Sequence, residues 1–253
     1  MIEHADQPIR PAATVIIVRE ASPQYEIFML RRTNQAAFAG GMYVFPGGRV
    51  DEEDHASAYE ALFTGPSTAQ AAQKDALGDN WRGYWIAGIR ETFEESGLLL
   101  AYRESGDFLS YDADNHSHFL NLRERLHKGD LGLRDICVSE NLKLAVDHIH
   151  FYNRWITPLG RPRRFDTRFF VAEAPPEQTG IHDGRETVDS LWISPGEALE
   201  RNQKGDFGMM AVTQKQLADF ARYDSAESFM KMVRENREFP TYKPSLPPSE
   251  IKE

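Results

Sequence analysis

Residues 90–97 read RETFEESG, the end of a longer run, 85-WIAGIRETFEESG-97, whose spacing predicts a helix closed by Gly97. At about 3.6 residues per turn, Glu91, Glu94 and Glu95 stand at i, i+3 and i+4, so their carboxylates project from one face. Trp85, Ile86, Ile89 and Phe93 repeat at the same spacing and form an apolar stripe on the other side. The charge pattern is unfavourable for a free helix. Acids in the last turn meet the negative end of the helix dipole, and the like-charge pair Glu91/Glu95 costs about 0.2–0.5 kcal/mol by itself. Arg90 offsets only part of this. A solvated charged face is the ordinary reading of an acidic run, but ordinary surface helices alternate sign or place their acids early. A bound divalent cation would turn the repulsion into coordination, and an all-oxygen donor set suits Mg²⁺ or Mn²⁺ rather than zinc.

The rest of the chain narrows the class. Its 253 residues are enough for one large domain with a full core, and a hydrophobic content of 41% with 15 Phe and 4 Trp belongs to a folded globular protein. Lys and Arg number 29 against 39 Asp and Glu, a net charge of −10, which argues against a general nucleic-acid binder. An anionic small molecule stays compatible if a metal or an arginine cluster neutralises it. The single cysteine, Cys137, excludes an internal disulfide and a cysteine-rich zinc site, and is expected as a small buried hydrophobe. No apolar run approaches the roughly 20 residues of a membrane span. The opening MIEHADQPIR lacks a signal-peptide core and the closing IKE is not a peroxisomal signal, so a reducing cytoplasm is the expected setting.

AATVIIVRE and YEIFMLRR, separated by the turn signal ASPQ, predict an opening hairpin. GGMYVFPGG brackets a short strand, Met42 to Phe45. DHASAYEALF, STAQAAQKDAL and the acidic segment read as three helical pieces, and LLLAY as a buried strand. Residues 112–147 read as mostly helical, with FLNLRERLHKG amphipathic and LRDICVSENLKLAV less decisive. HIHFYNRWITP, RFFVAEAP and TVDSLWIS resume strand character, and PGEALERN, TQKQLADFARY and SAESFMKMVRE close the fold as helices. Strands separated by helices after a hairpin imply an α/β fold with a mixed sheet. One domain over residues 1–239 is expected, with helical insertions near 55–80 and 112–140 and an extended proline-rich tail at 240–253.

FPGG followed by RETFEESGL resembles the signature of the Nudix hydrolases, which runs G, five residues, E, seven residues, then R-E-U-x-E-E-x-G-U with U apolar. Arg90, Glu91, Glu94, Glu95, Gly97 and Leu98 match its second half. The first half is altered: counted from Gly48, the glutamate position holds Asp54, and residues 55–89 then intervene. Thr92 stands at an apolar position. This split signature, with LRRT, GGMYVFPGGRVD and NRWITPLGRPRRFDTRFFVAEAP, resembles the branch of coenzyme A diphosphatases. The resemblance implies an α/β/α sandwich with added helices and hydrolysis of a nucleoside diphosphate linked to another moiety, with Mg²⁺ or Mn²⁺ as cofactor. It implies that Glu94 and Glu95 bind the metal, that Glu91 binds a second ion or orients the attacking water, and that a backbone carbonyl at Gly47 or Gly48 completes the shell. Arg90 would pair with Asp54, whose side chain is one methylene shorter than the usual glutamate.

The chemistry agrees with the residues, since a diphosphate repels a nucleophile and leaves poorly, and clustered carboxylates both hold cations and accept a proton. Arg161, Arg163, Arg164 and Arg168 make a local positive run suited to a further phosphate, such as the 3′-phosphate of coenzyme A, or else a loop in which Asp166 pairs with one arginine. Trp155 is expected in packing, with adenine stacking the sharper alternative. The resemblance implies a general base on the loop that holds Glu186, with His182 and Asp183 nearby as competitors, and Glu173 reads as a strand-end surface acid. His148 and His150 alternate on a predicted strand and lack a third zinc ligand, so packing is expected of them. DADNHS lacks the glycine and glutamate of a calcium loop. The absence of G-x-G-x-x-G, a Walker loop and G-x-S-x-G removes support for dehydrogenase, NTPase and serine-hydrolase functions. Coenzyme A or acyl-coenzyme A is the expected substrate, against ADP-ribose or NADH. A non-catalytic nucleotide-binding module is the alternative from another class. No nucleic-acid or membrane partner is expected, and an oligomer is compatible with the sequence.

Overall fold

In a computed structural model, residues 8–36, 39–161 and 163–245 are described. The opening hairpin forms as expected from β1 (Ile9–Arg19) and β2 (Glu26–Arg32), paired antiparallel. The short strand is β3 (Tyr43–Val44), against β2, and β4 (Gly47–Arg49) lies against β1. The later strands of this sheet are β8 (His150–Ile156), β9 (Arg164–Glu173), β10 (Thr187–Ile193) and β11 (Thr241–Tyr242). Among the described residues the order is β10-β2-β1-β9-β8-β11. β1 runs parallel to β9 and β11 parallel to β8, while the other pairs are antiparallel, so the sheet is mixed.

Alternation along the central strands builds two cores. Ala13, Val15, Ile17, Phe28 and Leu30 face one side, where they meet α2 (Trp81–Ser96), α3 (His116–His127) and α4 (Leu133–Ser139). Ile16, Val18, Ile27 and Met29 face the other, covered by α5 (Pro195–Lys204), α6 (Ala211–Phe220) and α7 (Ala226–Glu235). The result is the expected α/β/α sandwich. The remaining helix, α1 (Ala71–Leu77), precedes α2, and a small sheet of β5 (Phe63–Thr64), β6 (Ala101–Tyr102) and β7 (Lys143–Ala145) stands apart, in the order β5-β7-β6.

Four local expectations are corrected. DHASAYEALF is not an α-helix but two 3-10 turns, Glu52–His55 and Ser57–Tyr59, because Ala56 is extended between them (φ −59°, ψ 133°). Leu98–Leu100 are buried but carry no ladder, and only Ala101–Tyr102 of LLLAY pairs as strand. α4 ends at Ser139, Asn141 takes a left-handed φ of 52°, and the chain continues as β7 rather than as helix. His148 closes a 3-10 turn, Val146–His148, so it does not share the strand of His150. Within the proline-rich tail, Thr241–Tyr242 pairs with β8 and the Tyr242 ring stacks on Trp155 at 4.5 Å, which answers Trp155 by packing; residues 246–253 lie outside the described residues.

Candidate active site

α2 is the longest helix among the described residues and is buried on nearly every side, from Gly83 through Ile89 and again at Thr92, Phe93, Glu95 and Ser96. The acidic face is therefore not a solvated stripe. It meets the Gly47–Gly48 turn. Gly88 lets the helix lie close on the sheet, since a Cβ there would stand 3.0 Å from the Val15 side chain. Two glycines then admit the carboxylates. A Cβ on Gly48 would fall 2.4 Å from Glu91 Oε2, and the Gly47 N–H donates to Glu95 Oε2 at 2.9 Å. The glycine-rich loop is thus required by close approach as well as by turning.

Arg90 ties the two halves of the motif together. Its Nε and Nη2 donate to the two oxygens of Asp54 at 2.9 Å each, and Nη2 also donates to the Arg49 carbonyl at 2.8 Å. Nη1 donates to Glu91 at 2.9 Å and to Glu94 at 3.3 Å. The expected Arg90–Asp54 pair forms despite the shorter acid, because the 3-10 turn carries Asp54 inward, where it is 1% exposed and also accepts the Asp51 N–H at 2.8 Å.

The carboxylates are under-compensated. Burial pushes the Glu91 carboxyl up to about 7, with Glu94 adding to it and Arg90 opposing. Burial likewise raises Glu94 against the pull of Arg90, and raises Glu95 well above the usual carboxylate range, with Glu91 adding repulsion. Such groups shed proton demand when a cation arrives. Among the described residues no three His, Cys, Asp or Glu side chains are gathered as a ready-made metal cage, since Arg90 donates to Glu91 and Glu94 while Gly47 holds Glu95. The donor set fits a hard divalent cation in chemistry: it is oxygen-only and largely shielded from water, with three carboxylates shared between Arg90 and Arg32.

Arg32 was not singled out by the sequence. Its guanidinium lies 4.0 Å from Glu95 and 3.5 Å from Glu186, so it bridges the acid helix to the loop before β10. Of the three base candidates, Glu186 is the one joined to the acid trio in this way. Asp183 is consumed in closing its own loop, accepting the N–H groups of Arg185, Glu186 and Thr187 and the Thr187 hydroxyl. His182 turns its ring nitrogen toward the Ser190 hydroxyl, at 3.3 Å.

The four arginines of 161–168 do not make one patch. Arg164 and Arg168 are buried on β9: Arg164 donates to the Thr157 carbonyl, and Arg168 pairs with Asp166 and lies over the Tyr84 ring. Asp166 also takes a two-pronged bond from Arg154, so it serves two arginines where one was expected. Arg161 and Arg163 have exposed side chains on the β8–β9 turn. Cys137 is buried, as expected, with its thiol pushed up to about 12 by burial. Glu173 is an exposed strand-end acid paired with Arg234. Asp112, from the rejected calcium-like loop, accepts the Asp114 and Asn115 N–H groups ahead of α3.

The model of the NUDT19 Nudix domain matches residues 67–222, more than half of the chain. The chain belongs to this Nudix family. The match begins downstream of the Gly47–Asp54 loop, so it is the fold that brings the first half of the motif onto the second. A solved NUDIX hydrolase from Alicyclobacillus acidocaldarius superposes with a TM-score of 0.77 at 26% identity, covering 90% of this chain and 98% of that one. The chain is 30% identical over 237 residues to the Gallus gallus acyl-coenzyme A diphosphatase NUDT19, covering 76% of this chain and 62% of that protein. The Homo sapiens protein of the same name is 27% identical over 211 residues, with 70% and 55% covered. The chain thus spans a little over half the length of these two diphosphatases. Among the described residues, no helix is long and apolar enough to cross a membrane.

Proposed function

We propose that the chain is a divalent-cation-dependent hydrolase of the diphosphate bond in a nucleoside diphosphate linked to another moiety, with coenzyme A or acyl-coenzyme A as the first substrates. The observation that carries this reading is the trio of the buried Glu95 and the partly buried Glu91 and Glu94, closed against Gly47–Gly48 by the Arg90–Asp54 pair. The names of the relatives support the substrate class.

Mg²⁺ or Mn²⁺, when bound, supplies positive charge to the phosphoryl oxygens and acidifies water. Glu94 and Glu95 would hold it, with Glu91 and the Gly48 carbonyl as further oxygen donors. Arg90 fixes Glu91 and Glu94 in place and anchors their helix to the glycine turn. Glu186, held near the trio by Arg32, accepts the proton of the attacking water; the water oxygen bonds to phosphorus as the bond to the bridging oxygen breaks. From coenzyme A the products are 3′,5′-ADP and phosphopantetheine. Within the arginine run, contact with the 3′-phosphate falls to Arg161 and Arg163, the two with exposed side chains. A reducing compartment such as the cytoplasm suits the one buried thiol.

The test is product release from coenzyme A, acyl-coenzyme A, ADP-ribose, NADH and dinucleoside polyphosphates, with Mg²⁺ and with Mn²⁺. The expected result is preferential turnover of the coenzyme A compounds. Preference for ADP-ribose or NADH would move the substrate assignment, and tight binding with no turnover on any compound would make the chain a binding module.

A further inference from the structure

The C-terminal end of α2 carries the acid trio, and its last carbonyls have no partners within the helix. Three of them are satisfied from elsewhere. The Glu94 carbonyl accepts Arg123 Nε–H at 2.9 Å, from the middle of α3. It has no bond from Leu98, whose N–H goes instead to the Ser96 hydroxyl at 3.1 Å. The Gly97 carbonyl accepts the Tyr111 hydroxyl at 2.9 Å, from the segment leading into α3. The Ser96 carbonyl accepts the Ile181 N–H at 2.8 Å, from the loop that continues to Asp183 and Glu186.

Arg123 is the charged member of this set, and it is 7% exposed. Its Nη1 stands 3.2 Å from where a Cβ on Gly97 would lie, so the guanidinium packs against the glycine that ends α2. Nη2 is buried with no partner among the described residues. Burial lowers its pKa, while Asp183, Glu95 and Glu124 act in the other direction. A cation held there at a desolvation cost is matched to two things: the negative end of the helix dipole and the acid trio beside it. Arg123 also lines a cleft of about 180 Å³ with Glu94, Leu120, His127, Asp183 and Arg185, where α2, α3 and the loop bearing Glu186 meet.

We propose that Arg123 is a positioning residue for the acid trio: the segment at 112–140 serves as a clamp that caps α2 and sets Glu94 and Glu95 against the Gly47–Gly48 turn and the Glu186 loop. This rests on the proposed hydrolase function. The role acts through the backbone of Glu94 and requires no contact between Arg123 and substrate. It also explains why an inserted helix with an outwardly polar sequence buries one arginine at the end of another helix.

The test uses the full chain with Arg123→Gln, Arg123→Lys and, as an independent cap variant, Tyr111→Phe. Mn²⁺ uptake is read by calorimetry, and kcat and KM on coenzyme A by product release. For Arg123→Gln, kcat is expected to fall about tenfold with KM within about twofold, and Mn²⁺ affinity to fall several-fold. Arg123→Lys, which keeps the charge and one donor, is expected to lie between Gln and wild type. Tyr111→Phe should move kcat in the same direction by less. Folded Arg123→Gln with wild-type kcat and Mn²⁺ affinity, or with a lowered melting temperature alone, would overturn the inference. Tighter Mn²⁺ binding in that variant would also overturn it, because simple removal of a positive charge would then outweigh positioning. If Arg123→Gln does not fold, Arg123→Lys and Tyr111→Phe decide by the same readings. A wild-type chain that takes up no Mn²⁺ would overturn the proposed function and this inference together, whereas wild-type uptake unchanged in all variants would overturn this inference alone.

Discussion

Arg90 holds Asp54 through both carboxylate oxygens, at 2.9 Å each, from 36 positions further along the chain. Asp54 is almost wholly buried and Arg90 nearly so. Removing one partner of a buried ion pair costs up to about 3–5 kcal/mol, and here Glu91 and Glu94 still face Arg90. Asp54→Asn is expected to lose stability on that scale in urea unfolding. A loss below about 1 kcal/mol would show that Glu91 and Glu94 carry Arg90 without Asp54.

The two glycines of the turn fail in different ways when a methyl is added. At Gly47, with φ +154°, a Cβ would meet the Ala13 carbonyl at 2.5 Å and the Thr14 Cα at 2.6 Å, which are backbone atoms unable to yield. At Gly48 the three nearest atoms all belong to the Glu91 carboxylate. Gly47→Ala is therefore expected to lower stability by about 2 kcal/mol or more. Gly48→Ala should keep the circular dichroism spectrum and lose about tenfold or more of kcat, as Glu91 is displaced. Full activity in Gly48→Ala would remove Glu91 from its assigned role.

Glu186 lies on the far side of Arg32 from Glu95, with 55% side-chain exposure. As the proton acceptor it should matter for chemistry more than for binding. Glu186→Gln is expected to lower kcat about 10²-fold or more with Mn²⁺ affinity within about twofold. Equal kcat in that variant would remove Glu186 from the role of proton acceptor.

His150 is 7% exposed, and Gln73 Nε2 faces its Nδ1 at 3.4 Å, a donor that needs the ring nitrogen unprotonated. Burial, with Arg234 and His148 adding repulsion, lowers its pKa from 6.5 to about 4. The unfolded chain therefore binds a proton that the folded chain refuses. This contribution is complete above pH 6.5 and is lost as pH falls from 6.5 toward 4. Between pH 7 and pH 5, wild type should lose about 2 kcal/mol more stability than His150→Gln in urea unfolding. Equal losses would mean that His150 titrates normally in the folded chain.

What was readable in sequence followed from local periodicity and from residues whose partners are near in chain. α2, the hairpin and the closing helices stand where spacing puts them, because alternation at two and repetition at 3.6 suffice to sort their residues between the two cores. The acid trio was legible because its charge pattern is costly without a ligand. Contacts set by long-range topology were not legible. Arg32 looks like any strand-end basic residue until β2 is placed beside the Glu186 loop, and Arg123 sits in a helix that reads as amphipathic, where nothing local marks an arginine for burial. Arg164 and Arg168 misled for the same reason: strand alternation on β9 turns them inward to Thr157 and Asp166 rather than outward with Arg161 and Arg163. DHASAYEALF reads as one helical piece, and nothing in its local pattern marks the extended Ala56 that splits it into two 3-10 turns, or the recruitment of Asp54 by Arg90.

Glu94 reaches both Arg90 and the α3 cleft, and it is the carboxylate on which the metal assignment most depends. Glu94→Gln removes one charge while keeping size and an oxygen acceptor for Arg90. In Mg²⁺-dependent hydrolysis of coenzyme A, this variant is expected to lose about 10²-fold or more of kcat/KM with an unchanged circular dichroism spectrum. A folded Glu94→Gln chain that hydrolyses coenzyme A at the wild-type rate would contradict the account.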